Sequence, residues 1–493
     1  MAETIPLERR ATLEDYAAVA HLAPAVQVLE AEAERVVPLL EGRTLWMVNS
    51  TAQGGGVAEM LPTMVGLLRD LGIDTEWVVI GSEEPAFFPL TKRIHNLIHG
   101  AGDPVFDDSE RELYERVSRW NAERMAEMME PGDVLVVHDP QPMGLPAFLP
   151  EDLEVVPVWR CHIGLDEENA QTRAAWEFLE PWADHYLHAV FSAPEYIPHY
   201  FARRATIISP AIDPLADKNR DLSLHKLVGV LAESGLAVSP GPRLTPPYEN
   251  LAQRIYADGR LAPANGQEDI GLLTRPIVTQ ISRWDRLKGF LPLMRAFAET
   301  KRRLFSGDVP DDPVQRRRLD IVRLVLAGPD PSSIKDDPES QEVFASLVDE
   351  YVGLEPAIQD DIAIVCLPME SRRENALMVN ALQRASTLVA QNSLREGFGL
   401  TVTEAMWKHV PVLSNSRACG PRQQVRDGLD GRMVADPEDE EELRIALESM
   451  LADPAGRDAW GRSAQRRAHE EFLVFTQIRR WFELLAWVLA PPD

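Results

Sequence analysis

Lysine is scarce in this chain. Of 50 cationic residues among 493, seven are lysines: Lys92, Lys218, Lys226, Lys288, Lys301, Lys335 and Lys408. Asp and Glu total 78, and the net charge is −28. That balance argues against a nucleic-acid partner, whose phosphates need Lys and Arg opposite them. It also disfavours anionic membrane surfaces. Cysteine is scarcer still. Cys161, Cys366 and Cys419 lie far apart, with neither a metal spacing nor a disulfide framework. Met1 to Arg10 is charged and has no apolar signal core, and the apolar run Trp481 to Ala490 is too short to span a bilayer. The chain therefore reads as a cytoplasmic protein. It has no internal sequence repeat and no low-complexity tract.

What is present is enough apolar residue for full cores: 45% of the chain, beside 26% charged. A length of 493 residues implies two or three domains. Residues 13 to 40 have an amphipathic helical pattern. Strand-like runs then recur at 44–49, 74–81, 133–138, 155–162, 186–192 and 205–209, with helical stretches between the earlier ones. From about 214 to 268 the rhythm loosens, and four prolines fall within 239–247. That region reads as helices plus a linker. A second alternating set follows, with strands at 276–281, 322–328, 361–367, 387–391 and 410–414. Strands separated by helices imply parallel sheets. The expected fold class is α/β, with two tandem Rossmann-like doubly wound domains and a cleft between them. The expected boundaries are 1–268, 269–471 and a final packing helix over 472–493.

The most telling stretch is Arg395-Glu396-Gly397-Phe398-Gly399-Leu400-Thr401-Val402-Thr403-Glu404. Its glycine turn feeds a helix N-terminus, where free backbone N–H groups and the positive dipole end favour an anion. A carboxylate there repels phosphate, so Glu396 and Glu404 suit hydroxyls instead. Phosphate beside hydroxyls describes a nucleotide sugar.

A second loop, Arg283-Trp284-Asp285-Arg286-Leu287-Lys288, leaves the first strand of the second set. Arg283 supplies a planar fork and Lys288 a point charge, both suited to one diphosphate. Gly54-Gly55-Gly56 also joins strand to helix. It can admit a ligand to the backbone or simply make a tight turn, and it lacks the spacing of a dinucleotide fingerprint. His138-Asp139 and Trp159-Arg160-Cys161-His162 end two strands of the first set. His162 can donate to a sugar hydroxyl and Asp139 can orient one, although either can equally be structural.

These motifs resemble those of the retaining glycosyltransferases of family four, which have the GT-B fold. Within that family, Val48 to Glu59, Trp159 to Ile163 and Ser209 to Leu215 are similar to the glycosyl-transferring trehalose synthases. The resemblance implies a nucleoside-diphosphate glucose donor and a free glucose acceptor, joined reversibly as α,α-trehalose. Related trehalose phosphorylases share much of the pattern. It implies catalytic roles for His162, Arg283, Lys288 and Glu396. The donor falls to Gly55, Gly56, Arg283, Lys288, Glu396, Phe398, Gly399, Leu400, Thr401 and Glu404, and the acceptor to Asp139, Trp159 and Arg160. No obligatory metal or other cofactor is expected, with room for weak stimulation by Mg2+. Small-molecule substrates are the expected partners, and a homodimer is compatible with the resemblance. One position departs from the pattern: Gly164 stands where an aspartate is expected, which leaves open a family-four glycosyltransferase with another acceptor.

Overall fold

A computed structural model describes residues 2–7, 10–52, 56–241, 243–266, 269–307, 310–331 and 338–490. Contacts divide the chain into two units, Met1–Asp213 with Glu471–Asp493, and Pro214–Glu470.

The first unit is built on a seven-stranded sheet. Its strands are β1 (Glu3–Thr4), β2 (Leu45–Asn49), β3 (Thr75–Val79), β4 (Val134–His138), β5 (Val156–Cys161), β6 (His188–Phe191) and β7 (Ala205–Ile207). Their order across the sheet is β1-β3-β2-β4-β5-β6-β7. All neighbours are parallel except the short edge strand β1. β2 and β4 are buried along their whole length, which explains why LWMVN and VLVVH are apolar runs and not alternating ones.

The helical pattern over 13–40 is realised in pieces, Leu13–Ala17 and Ala23–Val36, followed by a 3-10 turn. Pro24 sits at the second position of the longer helix, where its missing N–H costs nothing; further in, it would break the ladder. The last helix, Val474–Val488, belongs to this unit. It packs on Ala23–Val36, and Phe475 meets Tyr16 edge to face at 5.2 Å.

The second unit has eight strands: β8 (Gln253–Ile255), β9 (Leu261–Pro263), β10 (Ile277–Ile281), β11 (Arg323–Pro329), β12 (Ile362–Leu367), β13 (Leu388–Ala390), β14 (Val412–Asn415) and β15 (Gly431–Val434). Their order is β15-β14-β13-β10-β11-β12-β8-β9. The six strands from β10 to β15 pair in parallel. Residues 214–268, read from sequence as helices plus linker of the first domain, instead pack within the second unit. One helix, Leu224–Glu233, forms there, and the β8–β9 hairpin extends the sheet antiparallel to β12. The strands QRI and LAP are too short and too mixed in polarity to show an apolar run or an alternation in the sequence.

The first unit should depend on its last helix. Phe475 is 1% exposed, and Phe475→Ala should cost about 3–5 kcal/mol of stability in urea unfolding, the usual loss for an emptied aromatic core site. A loss below about 1 kcal/mol would show that the helix contributes little to that unit.

Candidate functional site

β10 and β13 are neighbours in the sheet, so the loops leaving their carboxyl ends meet. Backbone and amide hydrogen bonds hold them together. Leu394 N donates to Leu287 O at 2.8 Å, and Gln280 Nε2 donates to Lys288 O at 2.6 Å. Asn392 completes the seam, donating through Nδ2 to Gly289 O at 3.2 Å and through its backbone N to Gln280 Oε1 at 3.1 Å. The seam fixes Lys288 against Glu396, with Nζ 2.6 Å from Oε2. Both side chains are largely buried, at 13% and 16% exposed, so this pair is far less screened than a surface ion pair. Ser393 Oγ donates to the same carboxylate oxygen at 3.1 Å, and Gln391 Nε2 lies 3.4 Å from it.

Beyond Glu396 the chain turns at Gly399, whose φ is 80°, into the helix Leu400–Trp407. A β-carbon at 399 would lie 2.9 Å from Glu396 Cγ, so the turn needs glycine both for its conformation and for its space. The Phe398 ring is buried, while Leu400 and Thr401 at the helix start are half-buried. What Phe398 can offer a ligand is therefore its backbone. Gln424 Nε2 donates to the Phe398 carbonyl, and Thr403 Oγ1 donates to Gln424 Oε1 at 2.5 Å.

Glu404 lies one turn into this helix and is 5% exposed. Lys218 Nζ is 3.7 Å from its Oε1, and Gln383 Nε2 donates to its Oε2 at 3.3 Å. Lys408 Nζ donates to the Glu404 carbonyl at 3.1 Å and to Asn219 Oδ1 at 3.2 Å. Burial pushes the Lys408 ammonium down to about 7, against the opposing pull of Glu404. Arg283 is placed differently from Lys288. Its side chain is 69% exposed, with Asp285 Oδ2 3.9 Å away. The basic loop thus holds one buried cation, Lys288, fixed to Glu396, and two exposed ones, Arg283 and Arg286, the latter 3.2 Å from Glu342 Oε2.

In the first unit β4 and β5 are adjacent, which brings His138-Asp139 beside Arg160-Cys161-His162. His138 Nδ1 and His162 Nε2 are 3.0 Å apart, with the rings stacked at 5.4 Å and 12°. Burial, with the Arg160 charge, lowers His138 to about 3 and His162 well below its usual range. Both imidazoles are therefore neutral at neutral pH, and His162 can offer a hydrogen bond without a charge.

Asp139 adopts φ 63°, and its Oδ1 accepts from His162 N at 2.8 Å. Burial pushes its carboxyl up to about 6. Its Oδ2 makes no hydrogen bond among the described residues. Two expected acceptor contacts sit elsewhere. Trp159 has no exposed surface; it packs on Phe191 and Phe201 and donates through Nε1 to Asp139 O at 3.0 Å. Arg160 is 1% exposed and donates to Ile208 O at 2.7 Å and Ser192 Oγ at 3.3 Å. These side chains brace the strand end, because a strand inside a two-sided sheet buries both its faces.

Gly164 is packed as tightly as a glycine can be: a β-carbon there would lie 2.1 Å from Tyr196 Cγ. An aspartate cannot stand at 164 while Tyr196 holds this position. Of the glycine loop after β2, Gly54 and Gly55 lie outside the described residues, and Gly56 opens the helix Gly56–Asp70. Sequence reasoning missed Lys218, Gln383, Gln391, Ser393 and Lys408. The rarity of lysine and the polar run Gln391-Asn392-Ser393 closing a buried strand were the available signals.

Two doubly wound units, with these loops at the carboxyl ends of their strands, have the architecture of the GT-B glycosyltransferases. Residues 47–198 match the family model "Trehalose synthase, N-terminal domain", and residues 372–467 match "Glycosyl transferases group 1". The chain is 32% identical over 475 residues to a trehalose synthase of Pyrococcus horikoshii, spanning 96% of this chain and 95% of that protein. It is 24% identical to a trehalose phosphorylase of Grifola frondosa over 88% of its own length and 56% of that protein. In fold it is similar to an α,α-trehalose-phosphate synthase (UDP-forming) from Burkholderia xenovorans solved with glucose-6-phosphate. There the TM-score is 0.62 at 16% identity, over 90% of this chain and 100% of the other. The chain belongs to the trehalose synthase family of glycosyltransferases. Among the described residues, no helix is long and apolar enough to cross a membrane.

Buried Lys408 makes stability depend on pH. Lysine titrates near 10.4 in an unfolded chain and at about 7 here, so the folded chain binds fewer protons between those values. The stabilising effect of neutral Lys408 is complete above about 10.5 and is lost as pH falls to about 7. Between pH 7.5 and 9.5 the unfolding free energy of the parent should rise by on the order of 2 kcal/mol more than that of Lys408→Met. Parallel denaturation curves at the two pH values would show Lys408 to be charged in the fold.

Proposed function

We propose that this chain is a retaining glucosyltransferase that joins glucose from a nucleoside-diphosphate glucose to free glucose, giving α,α-trehalose, reversibly. The observation that carries this reading is the buried Lys288–Glu396 pair beside the start of the helix Leu400–Trp407. An ammonium has three donors, and Glu396 engages one. The others suit the leaving diphosphate, with exposed Arg283 as a second, adjustable cation. Glu396 then takes donor-sugar hydroxyls, and the free N–H groups at Gly399, Leu400 and Thr401 favour phosphate. Glu404, held by Gln383 and Lys218, takes the ribose hydroxyls.

In the first unit, neutral His162 serves a sugar hydroxyl and Asp139 Oδ2 an acceptor hydroxyl. Front-face substitution requires no enzyme nucleophile. The bond from the anomeric carbon to the diphosphate breaks, the acceptor oxygen bonds to the same face, and the diphosphate takes the acceptor proton. Fixed charges at Lys288 stabilise the charge that develops on the leaving group. They also supply the neutralisation that a metal would otherwise provide, so Mg2+ is expected to stimulate at most weakly.

The similarity to a trehalose phosphorylase favours one alternative, in which orthophosphate replaces the nucleotide. The test is cleavage of trehalose by the purified protein with ADP, UDP or GDP, run beside orthophosphate. Glucose with a nucleotide-glucose supports the transferase and names the base. Glucose with glucose 1-phosphate establishes the phosphorylase, and no cleavage with any partner sinks the trehalose reading. Lys288→Ala should lower turnover about 10²–10³-fold, as removal of one charge-stabilising donor does; a loss under about threefold counts against its phosphate role. Glu404→Ala should weaken nucleoside-diphosphate binding in calorimetry, and an unchanged affinity would remove the ribose assignment.

A further inference from the structure

We infer that the first unit carries a second carbohydrate site, for a neutral pyranoside, between its edge strand β7 and its last helix. A cavity of about 330 Å³ opens there, within the size range of small-molecule sites. One wall is the face of the helix that carries Arg480, Glu483 and Trp487, spaced three and four apart. The other is His188 at the start of β6 and Thr206 on β7.

Three observations point to a sugar. First, Trp487 is 60% exposed, yet its ring is fixed, meeting His188 edge to face at 4.9 Å and 66°. An indole held open in this way is an apolar platform of the kind on which the C–H face of a pyranose can lie. Second, the polar groups around it are of both kinds. Arg480 is half-buried and makes no hydrogen bond or ion pair among the described residues, so its N–H donors are available. Glu483 is exposed and accepts, while the Thr206 hydroxyl is already oriented by His188 Nε2 at 2.8 Å. Sugar hydroxyls both donate and accept, and match such a mixed rim. Third, one guanidinium and one carboxylate leave the rim without net charge, which suits a neutral ligand better than a phosphate. A purely apolar ligand would leave both charges unmatched.

The position separates this cavity from the histidine pair. His188 lies opposite Val158 in register, at the amino end of β6, whereas His162 follows the carboxyl end of β5. A sugar at Trp487 would be held and not transformed. The inference stands apart from the proposed reaction, because it needs only these residues.

The test uses the full chain. Glucose, trehalose and maltose are titrated and followed by saturation-transfer NMR and calorimetry, with Trp487→Ala and Arg480→Ala alongside. Trp487 is exposed, so its removal should leave the fold and turnover unchanged. The expected result is a weak class of sugar binding in the parent that weakens at least about tenfold in both variants. Equal sugar binding in the parent and Trp487→Ala would overturn the proposal. So would sedimentation showing a self-associated parent and a monomeric Trp487→Ala, which would assign this face to a second copy of the chain.

Discussion

Buried carboxylates must be held by positive charge, and an ammonium stands against each of the Glu396 and Glu404 carboxylates. Three of the seven lysines gather on the pair: Lys288 on Glu396, Lys218 on the Glu404 carboxylate and Lys408 on its backbone. An arginine spreads its charge over a planar fork, whereas an ammonium places it at a point. Where one carboxylate oxygen must be met in a narrow seam between two loops, the compact group is the better fit. The seam exists because β10 and β13 are neighbours, and it is tightened by Gln280 and Asn392, which carry no charge. Sheet order, amide bridges and ion pair form one construction.

The first unit follows a different logic. Its strand ends hold two neutral imidazoles beside the Asp139 carboxylate and the buried Arg160 guanidinium. Burial and the nearby Arg160 keep His138 and His162 neutral, and the carboxylate of Asp139 is turned onto the His162 backbone. The second unit therefore presents a fixed ammonium–carboxylate pair, and the first presents neutral imidazoles beside a carboxylate. In the proposed reaction both kinds have a use: charge where the diphosphate departs, and neutral donors beside an accepting carboxylate where hydroxyls must be sorted.

Much of this was legible in the sequence. Strands fully buried on both faces declare themselves as apolar runs, and VVPVWRCH and DIAIVCL are found where they were expected, as β5 and β12. The loop from Arg283 to Lys288 and the stretch from Glu396 to Glu404 could be read because their glycines and charges sit at strand-to-helix junctions. The hairpin of β8 and β9 could not, since β8 is defined by pairing with β12, roughly a hundred residues away in the chain, and β9 by pairing with β8. The same holds for side-chain partnership. Spacing suggested Lys288 and Arg283 as equals, but only the packed structure distinguishes a buried ammonium from an exposed guanidinium. Trp159 shows the converse: beside functional residues in sequence, its indole is spent on an aromatic cluster.

Tyr196 resting on Gly164 has a meaning for how such a chain can diverge. The two positions form a lock in which the bulk of one residue is the absence of the other. A side chain cannot be gained at 164 by a single change, because the ring already fills its volume. An aspartate at 164 would need the aromatic at 196 withdrawn or turned. Any passage between the two arrangements is thus a two-step path through an intermediate that either clashes or leaves a void, and the choice, once made, is hard to reverse.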